Sequence, residues 1–262
     1  MTTDTLTLTL TSPVVAGERL YLYQDGPDLP CKGATTSSLL PSLRAGTTLK
    51  GEGCEFAVRS IGWLPGGGEA RSTRSVLLEA KQDAEAGEFV CAMLREGWAV
   101  AWITLSDKGA AGKRQDESGP LVGKLVGEKL PLNHVQGFVI PDEVSQLKGL
   151  MVDLALNQGF DLILTTGGTG VAPRDITPEA TLAVIEKRLP GYERAMTAAS
   201  LEKTPHGAIS RAVAGTLGQA VIVNMPGSPK AVAECLAPLL PTLRHTMEKL
   251  QGDPSDCASL HK

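Results

Sequence analysis

The spacing of apolar residues changes near residue 95. Upstream, residues 5–11 alternate threonine with leucine, the period-two pattern of a strand with one buried face, and residues 19–23 and 55–63 read as further short strands. The turns between them are rich in glycine and proline, as at 66–68. The pattern predicts a small β-rich module over residues 1–95. A helix over 83–96, ended by Gly97, is expected to lead out of it.

Downstream, strand and helix patterns alternate. Residues 98–105 read as a strand, 119–130 as an amphipathic helix and 135–140 as a second strand. Residues 142–157 carry Val144, Leu147, Leu150, Met151, Leu154 and Ala155 near helical spacing, and Leu162, Ile163 and Leu164 form a buried strand. Thr177 is expected to cap the next helix, with Pro178 at its first position and Glu179 in its first turn. Residues 208–217 and 219–224 look extended, and 229–250 are mostly helical with interruptions at Pro238 and Pro241. This alternation predicts an α/β fold over 96–250, a mostly parallel sheet covered by helices, with ligands held beyond the carboxyl ends of the strands. Residues 251–262 read as a flexible polar tail.

Composition narrows the function classes. A length of 262 residues gives room for two domains at roughly 100–200 residues each. The net charge of −4 argues against a sequence-independent nucleic-acid binder. Cys31, Cys54, Cys91, Cys235 and Cys257 are scattered without a CxxC pair, which disfavours a disulfide framework or a structural zinc site, and a buried, inert thiol is the ordinary reading of each. The N-terminus has no basic region followed by an apolar core, and no stretch reaches the ~18 apolar residues of a spanning helix. A cytoplasmic protein with no membrane association is expected.

Four loops carry the chemistry. Thr165, Thr166, Gly167, Gly168, Thr169 and Gly170 offer a run of backbone N–H groups suited to a phosphate, yet no P-loop lysine follows and Pro173 stands where a dinucleotide fingerprint needs its third glycine. A tight strand-to-helix turn without a ligand is the alternative. Asp175, beside Arg174, reads either as a solvated ion pair or as a Mg²⁺ ligand facing a polyanion. Asp142 reads equally as a second metal carboxylate or as a helix cap. Residues 106–119 are long, polar and glycine-rich: Asp107, Asp116 and Ser118 suit a sugar, metal or polar heterocycle, and Lys108, Lys113 and Arg114 suit anions, unless the loop is merely a solvated connection. In NMPGSPK, Ser228 can cap the last long segment and Lys230 lies in its first turn, where an anion would offset the dipole. No nucleophile elbow or grouped histidines appear.

Taken in order, TLSDKGAAGKRQDESGP, LTTGGTGVAPRDITPEAT, AISRAVAG and VNMPGSPKAV resemble the molybdopterin-binding domain family of molybdenum cofactor biosynthesis, especially the single-domain molybdopterin adenylyltransferases and the adenylylating domain of gephyrin-like proteins. The similarity spans residues 98–250. It implies an α/β domain, usually a homotrimer, in which molybdopterin is adenylylated by ATP with Mg²⁺ and pyrophosphate is released before a partner protein inserts the metal. Asp142 and Asp175 resemble the family's two functional aspartates and are expected to be catalytic and to hold Mg²⁺. The resemblance implies that Thr166, Gly167, Gly168, Thr169 and Gly170 hold phosphate. It also implies that Ser106, Asp107, Asp116, Ser118 and Gly119 form the adjoining pocket, with Pro226, Gly227, Ser228 and Lys230 closing it. A non-catalytic molybdopterin carrier or scaffold is the rival reading. Within the first module, LRAGTTLKGEGCEFAVRSIG faintly resembles the end of a MOSC-type sulfur-carrier β-barrel, so residues 1–95 are expected to be a remnant of such a module.

Overall fold

The computed structural model describes residues 4–24, 33–65 and 71–254. Cys31, Cys257 and the glycine turn at 66–68 lie outside the described residues, as does the tail beyond 254. The chain divides into two compact units, Met1–Ala99 with Asn157–Gly159, and Val100–Leu156 with Phe160–Lys262.

Seven strands close the first unit into a barrel: β1 (Thr5–Leu10), β2 (Arg19–Gln24), β3 (Gly33–Thr36), β4 (Thr48–Gly51), β5 (Cys54–Leu64), β6 (Thr73–Ala80) and β7 (Gly87–Leu94), in the order β1-β3-β2-β6-β5-β4-β7. The threonine–leucine alternation places Leu6, Leu8 and Leu10 inside, against Leu22, Leu49, Phe56, Val58, Ile61, Val76 and Leu78. The expected helix over 83–96 is not formed. Its residues are good helix formers, but β7 pairs antiparallel with both β1 and β4, and closing the barrel outweighs local propensity. Arg59 is the extra residue of a bulge between the Val58–Leu78 and Ser60–Leu77 pairs, and its guanidinium reaches Glu79 at 2.7 and 3.1 Å. Cys54 and Cys91 are free and fully buried with sulfurs 3.5 Å apart, and burial, together with the neighbouring thiol, pushes Cys91 up to about 12. Such a thiol is inert at neutral pH.

The second unit holds a six-stranded sheet of β8 (Trp98–Leu105), β9 (Leu132–Ile140), β10 (Leu162–Thr166), β11 (Lys187–Arg188), β12 (Ala214–Leu217) and β13 (Ala220–Met225), ordered β11-β12-β13-β10-β8-β9. Here the expected mostly parallel sheet requires correction. β10 is parallel to β8 and β13, whereas β12 is antiparallel to β13 and to β11, so the sheet is mixed. The cause is local: Gly218, at φ +56°, opens a two-residue loop that turns β12 directly back into β13. At the centre, β10 and β13 are buried along their whole length, which is why both read as continuous apolar runs.

The helices are α1 (Asp107–Ala110), α2 (Ser118–Gly127), α3 (Val144–Val152), α4 (Thr177–Leu182), α5 (Pro190–Leu201), α6 (Pro229–Leu236) and α7 (Leu240–Leu250). A π-helical turn, Asp153–Asn157, extends α3, and the break between α6 and α7 contains Pro238 while Pro241 sits in the first turn of α7. Buried Asn224 on β13 ties the layers together: its amide donates to Thr165 at 3.1 Å and Thr181 at 2.8 Å, and its carbonyl accepts from Val213 N–H. No helix among the described residues is long and apolar enough to cross a membrane.

Candidate active site

The loops after β8, β9, β10 and β13 converge. A recess of about 120 Å³ is lined by Thr104, Ser106, Asp116, Ser118, Thr166 and Gly227, among others. Its polar wall is a chain of hydroxyls: Thr166 Oγ1 donates to Thr104 Oγ1 at 3.1 Å, and Thr104 Oγ1 donates to Asp116 Oδ2 at 2.7 Å. The other oxygen of Asp116 accepts the N–H groups of Ser118 and Gly119 at 3.1 and 3.0 Å, so this carboxylate also satisfies the start of α2. Ser118 Oγ donates to the Gly227 carbonyl at 2.8 Å. Gly119 is required by packing, since a Cβ there would enter the Trp102 ring and the Asp116 carboxylate.

Beside the recess runs a charged ridge. Asp107 and Asp142 exchange backbone hydrogen bonds, each carboxylate accepting the other residue's N–H at 3.2 Å. Arg174 donates to both oxygens of Asp107 and to Glu143. This guanidinium holds the Asp107 carboxyl below its usual range. Asp142 is shifted the other way: burial raises it, and the charges of Asp107 and Asp175 add to the rise against the opposing Asp107 N–H bond and Arg174. A second, open concavity is lined by Asp142, Glu143, Lys148, Pro173 and Arg174.

The glycine turn is held from outside rather than by its own amides. Gly167 and Gly168 have φ of +93° and +65°, and a Cβ on Gly167 would lie 2.8 Å from the Leu105 carbonyl. Gly167 N–H donates to Met225 O, while Thr177 donates its N–H to Gly168 O and its hydroxyl to Gly167 O. The N–H groups of Gly168, Thr169, Gly170 and Val171 meet no acceptor among the described residues. Successive amides of this kind form an anion-binding concavity. The arrangement can accept an anion at these amides, next to a recess that holds one carboxylate and several hydroxyls.

The family described as a probable molybdopterin binding domain matches residues 101–245. The chain belongs to that family. It is 36% identical over 168 residues to gephyrin of Dictyostelium discoideum, covering 61% of this chain but only 23% of gephyrin, so the chain spans about a quarter of that relative's length. It is 35% identical over 156 residues to the molybdopterin adenylyltransferase of Helicobacter pylori, covering 59% of this chain and 88% of that enzyme. Among solved structures, the molybdopterin biosynthesis enzyme MoaB of Thermus thermophilus is 41% identical with a TM-score of 0.55, covering 61% of this chain and 99% of the other.

Within this molybdopterin-binding domain the structure distributes the expected residues unevenly. Ser106, Asp116, Ser118, Thr166 and Gly227 line the recess, and Gly119 backs it. Asp107 belongs instead to the ridge, as the partner of Arg174. Asp142 does not cap α3, which starts without a side-chain cap. Nor is Asp175 the partner of Arg174: its Oδ2 accepts Ala172 N–H at 2.7 Å. Thr177 is inside α4 rather than its cap, because the glycine turn presents a carbonyl to its hydroxyl. Ser228 caps α6 through Ala231 N–H, a Cβ on Gly227 would lie 3.3 Å from Gly167 Cα, Pro226 is half-buried, and Lys230 is exposed. Sequence reasoning gave no role to Thr104, Glu143 or Arg211, whose partners are all distant in the chain.

Proposed function

We propose that this chain transfers AMP from ATP to molybdopterin with Mg²⁺, releasing pyrophosphate, as a step of molybdenum cofactor biosynthesis. The observation that carries the reading is the turn with four unpartnered amides, which follows directly on Thr166 in the wall of the Asp116 recess. A recess with one carboxylate and several hydroxyls suits a polar heterocycle, and the amides suit its phosphate.

Asp142 and Asp175 fit a hard cation. Each has one oxygen committed to a backbone N–H, while no described residue donates to the other oxygen. No group of three His, Cys, Asp or Glu among the described residues is arranged to hold a metal ion by itself, so the pair suits an ion that keeps waters and takes phosphate oxygens. When bound there, Mg²⁺ supplies charge neutralisation between the phosphates.

A terminal phosphate of molybdopterin is largely dianionic near neutral pH, so the attack needs no strong general base. One of its oxygens forms the new bond to the α-phosphorus of ATP. The bond from that phosphorus to the bridging oxygen breaks, and pyrophosphate leaves with the electron pair. The free amides of 168–171 receive charge on non-bridging oxygens, Lys230 and Arg174 add positive field, and Asp116 with Thr104 and Ser118 orients the heterocycle. Ser106 and Asp107 hold the ridge that carries Asp142, and Pro226 and Ser228 shape the closing loop.

The rival is a carrier that binds molybdopterin without reacting, and the open oxygens of Asp142 and Asp175 favour the enzyme. Incubating the protein with molybdopterin, ATP and Mg²⁺ is expected to give the adenylylated product by mass spectrometry. Tight molybdopterin binding with no product would leave the carrier. A cytoplasmic homotrimer acting with a metal-insertion partner completes the proposal. The barrel, with residues 1–95 as a MOSC-type remnant, would serve delivery or partner binding, and deleting them is then expected to leave turnover unchanged.

A further inference from the structure

We infer that Arg211 is the positioning residue for Asp175, clamping both ends of the 170–175 loop so that its carboxylate keeps one orientation. Nε donates to Gly170 O at 2.7 Å and Nη2 to Asp175 O at 2.8 Å, so one guanidinium spans the base of the excursion. The Arg211 N–H adds a bond to Thr169 O at 2.9 Å. The side chain is held in turn by Glu179, whose carboxylate it pairs with and keeps below its usual range. Within the clamped loop, Ala172 and Asp175 close on each other. Asp175 N–H donates to Ala172 O at 2.9 Å, and the Asp175 carboxylate accepts Ala172 N–H at 2.7 Å, in the space that a Cβ on Gly170 would fill.

The contact requires arginine. A planar fork with five donors reaches two carbonyls and a carboxylate at once, whereas a lysine ammonium is a single point on a flexible stem. By area and exposure the Arg211–Glu179 pair contributes little to global stability. Its effect is local order in the loop that carries Asp175.

The consequence for catalysis rests on the adenylyl-transfer reading; the clamp itself does not. The test uses the full chain with Arg211→Met and Arg211→Lys, read by amide hydrogen exchange and by steady-state kinetics. Both variants are expected to exchange the Ala172 and Asp175 amides about tenfold or more faster, with β13 amides unchanged. They are also expected to lower kcat by about 30-fold or more while KM for molybdopterin stays within about threefold. Unchanged exchange at Ala172 and Asp175 in Arg211→Met overturns the inference, as does Arg211→Lys behaving like wild type. Faster exchange at β13 as well would mark Arg211 as globally structural and also overturn it. If wild type makes no adenylylated product, the adenylyl-transfer reading fails, and the exchange pattern still decides the clamp.

Discussion

Nη2 of Arg174 donates to both carboxylate oxygens of Asp107, at 2.7 and 2.8 Å, joining loops that lie 67 residues apart. Both side chains are exposed, so the pair contributes little to stability. Its role is electrostatic: it holds the Asp107 carboxyl below its usual range close to Asp142. Because Arg174 is the largest cause of the lowered Asp107 value, Arg174→Ala should move the Asp107 titration, followed by carboxyl carbon chemical shift, to higher pH. An unmoved titration would show that the ion pair does not form in solution.

Asp175→Asn keeps the shape of the loop and an acceptor for Ala172 N–H but removes the charge. Turnover is expected to fall about 100-fold or more, as for loss of a group acting mainly in the transition state, with molybdopterin affinity within about threefold. Equal turnover in the two proteins removes Asp175 from the mechanism.

Asp142 has the opposite signature to Asp107, because burial raises its carboxyl. A raised acid contributes stability that is fully present below its ordinary value of 3.8 and lost as pH rises through the raised one. Asp142→Asn should therefore melt higher than wild type at neutral pH while turning over more slowly, a stability gain at the expense of function. In wild type, the acid limb of kcat/KM should lie at higher pH than an ordinary aspartate gives, because burial raises Asp142. A lower melting temperature for Asp142→Asn contradicts this reading.

Gly119 opposes two effects. Alanine in helix α2 would gain about 1 kcal/mol in propensity, but its Cβ would enter Trp102 and Asp116, and overpacking costs about 1–3 kcal/mol. Since Asp116 also loses its place at the recess, Gly119→Ala is expected to destabilise the second unit in urea and to weaken molybdopterin binding. A more stable variant with unchanged binding would refute the packing.

In the barrel, hydrogen bonds from Arg59 and then Lys81 lower Glu79 from 4.5 to about 2. The stability this gives is present above 4.5 and lost as pH falls through about 2. Glu79→Gln should flatten that acid loss and cost about 1–3 kcal/mol at neutral pH. Identical acid unfolding of the two proteins would exclude the pair as its cause.

Much of this was legible in the chain. The leucine–threonine alternation gives β1, the buried apolar run gives β10, and the unusual glycine turn with RDITPEA marks the loop whose amides are left without acceptors among the described residues. What escaped depends on pairing between distant segments. Strand β7 contains the helix formers Glu88, Ala92, Met93 and Leu94 and exists because β1 and β4 flank it. The sheet is mixed because a single glycine at 218 permits a hairpin. Arg211 carried no local signal, since its acceptors at Gly170, Asp175 and Glu179 precede it by 41, 36 and 32 residues. Asp142 and Asp175 were found as residue types, but their commitments to Asp107 and Ala172 needed the folded loops.

The proposed AMP transfer requires the amide turn and the two aspartates together. Its most direct test is a single-turnover reaction with α-labelled ATP, molybdopterin and Mg²⁺, run with wild type, Asp175→Asn and a chelator control. Label in molybdopterin and pyrophosphate are expected in equal amounts with wild type, about 100-fold or more slowly with Asp175→Asn, and not at all with the chelator. Molybdopterin bound by wild type with no label transferred, or label transferred equally by Asp175→Asn, would contradict it.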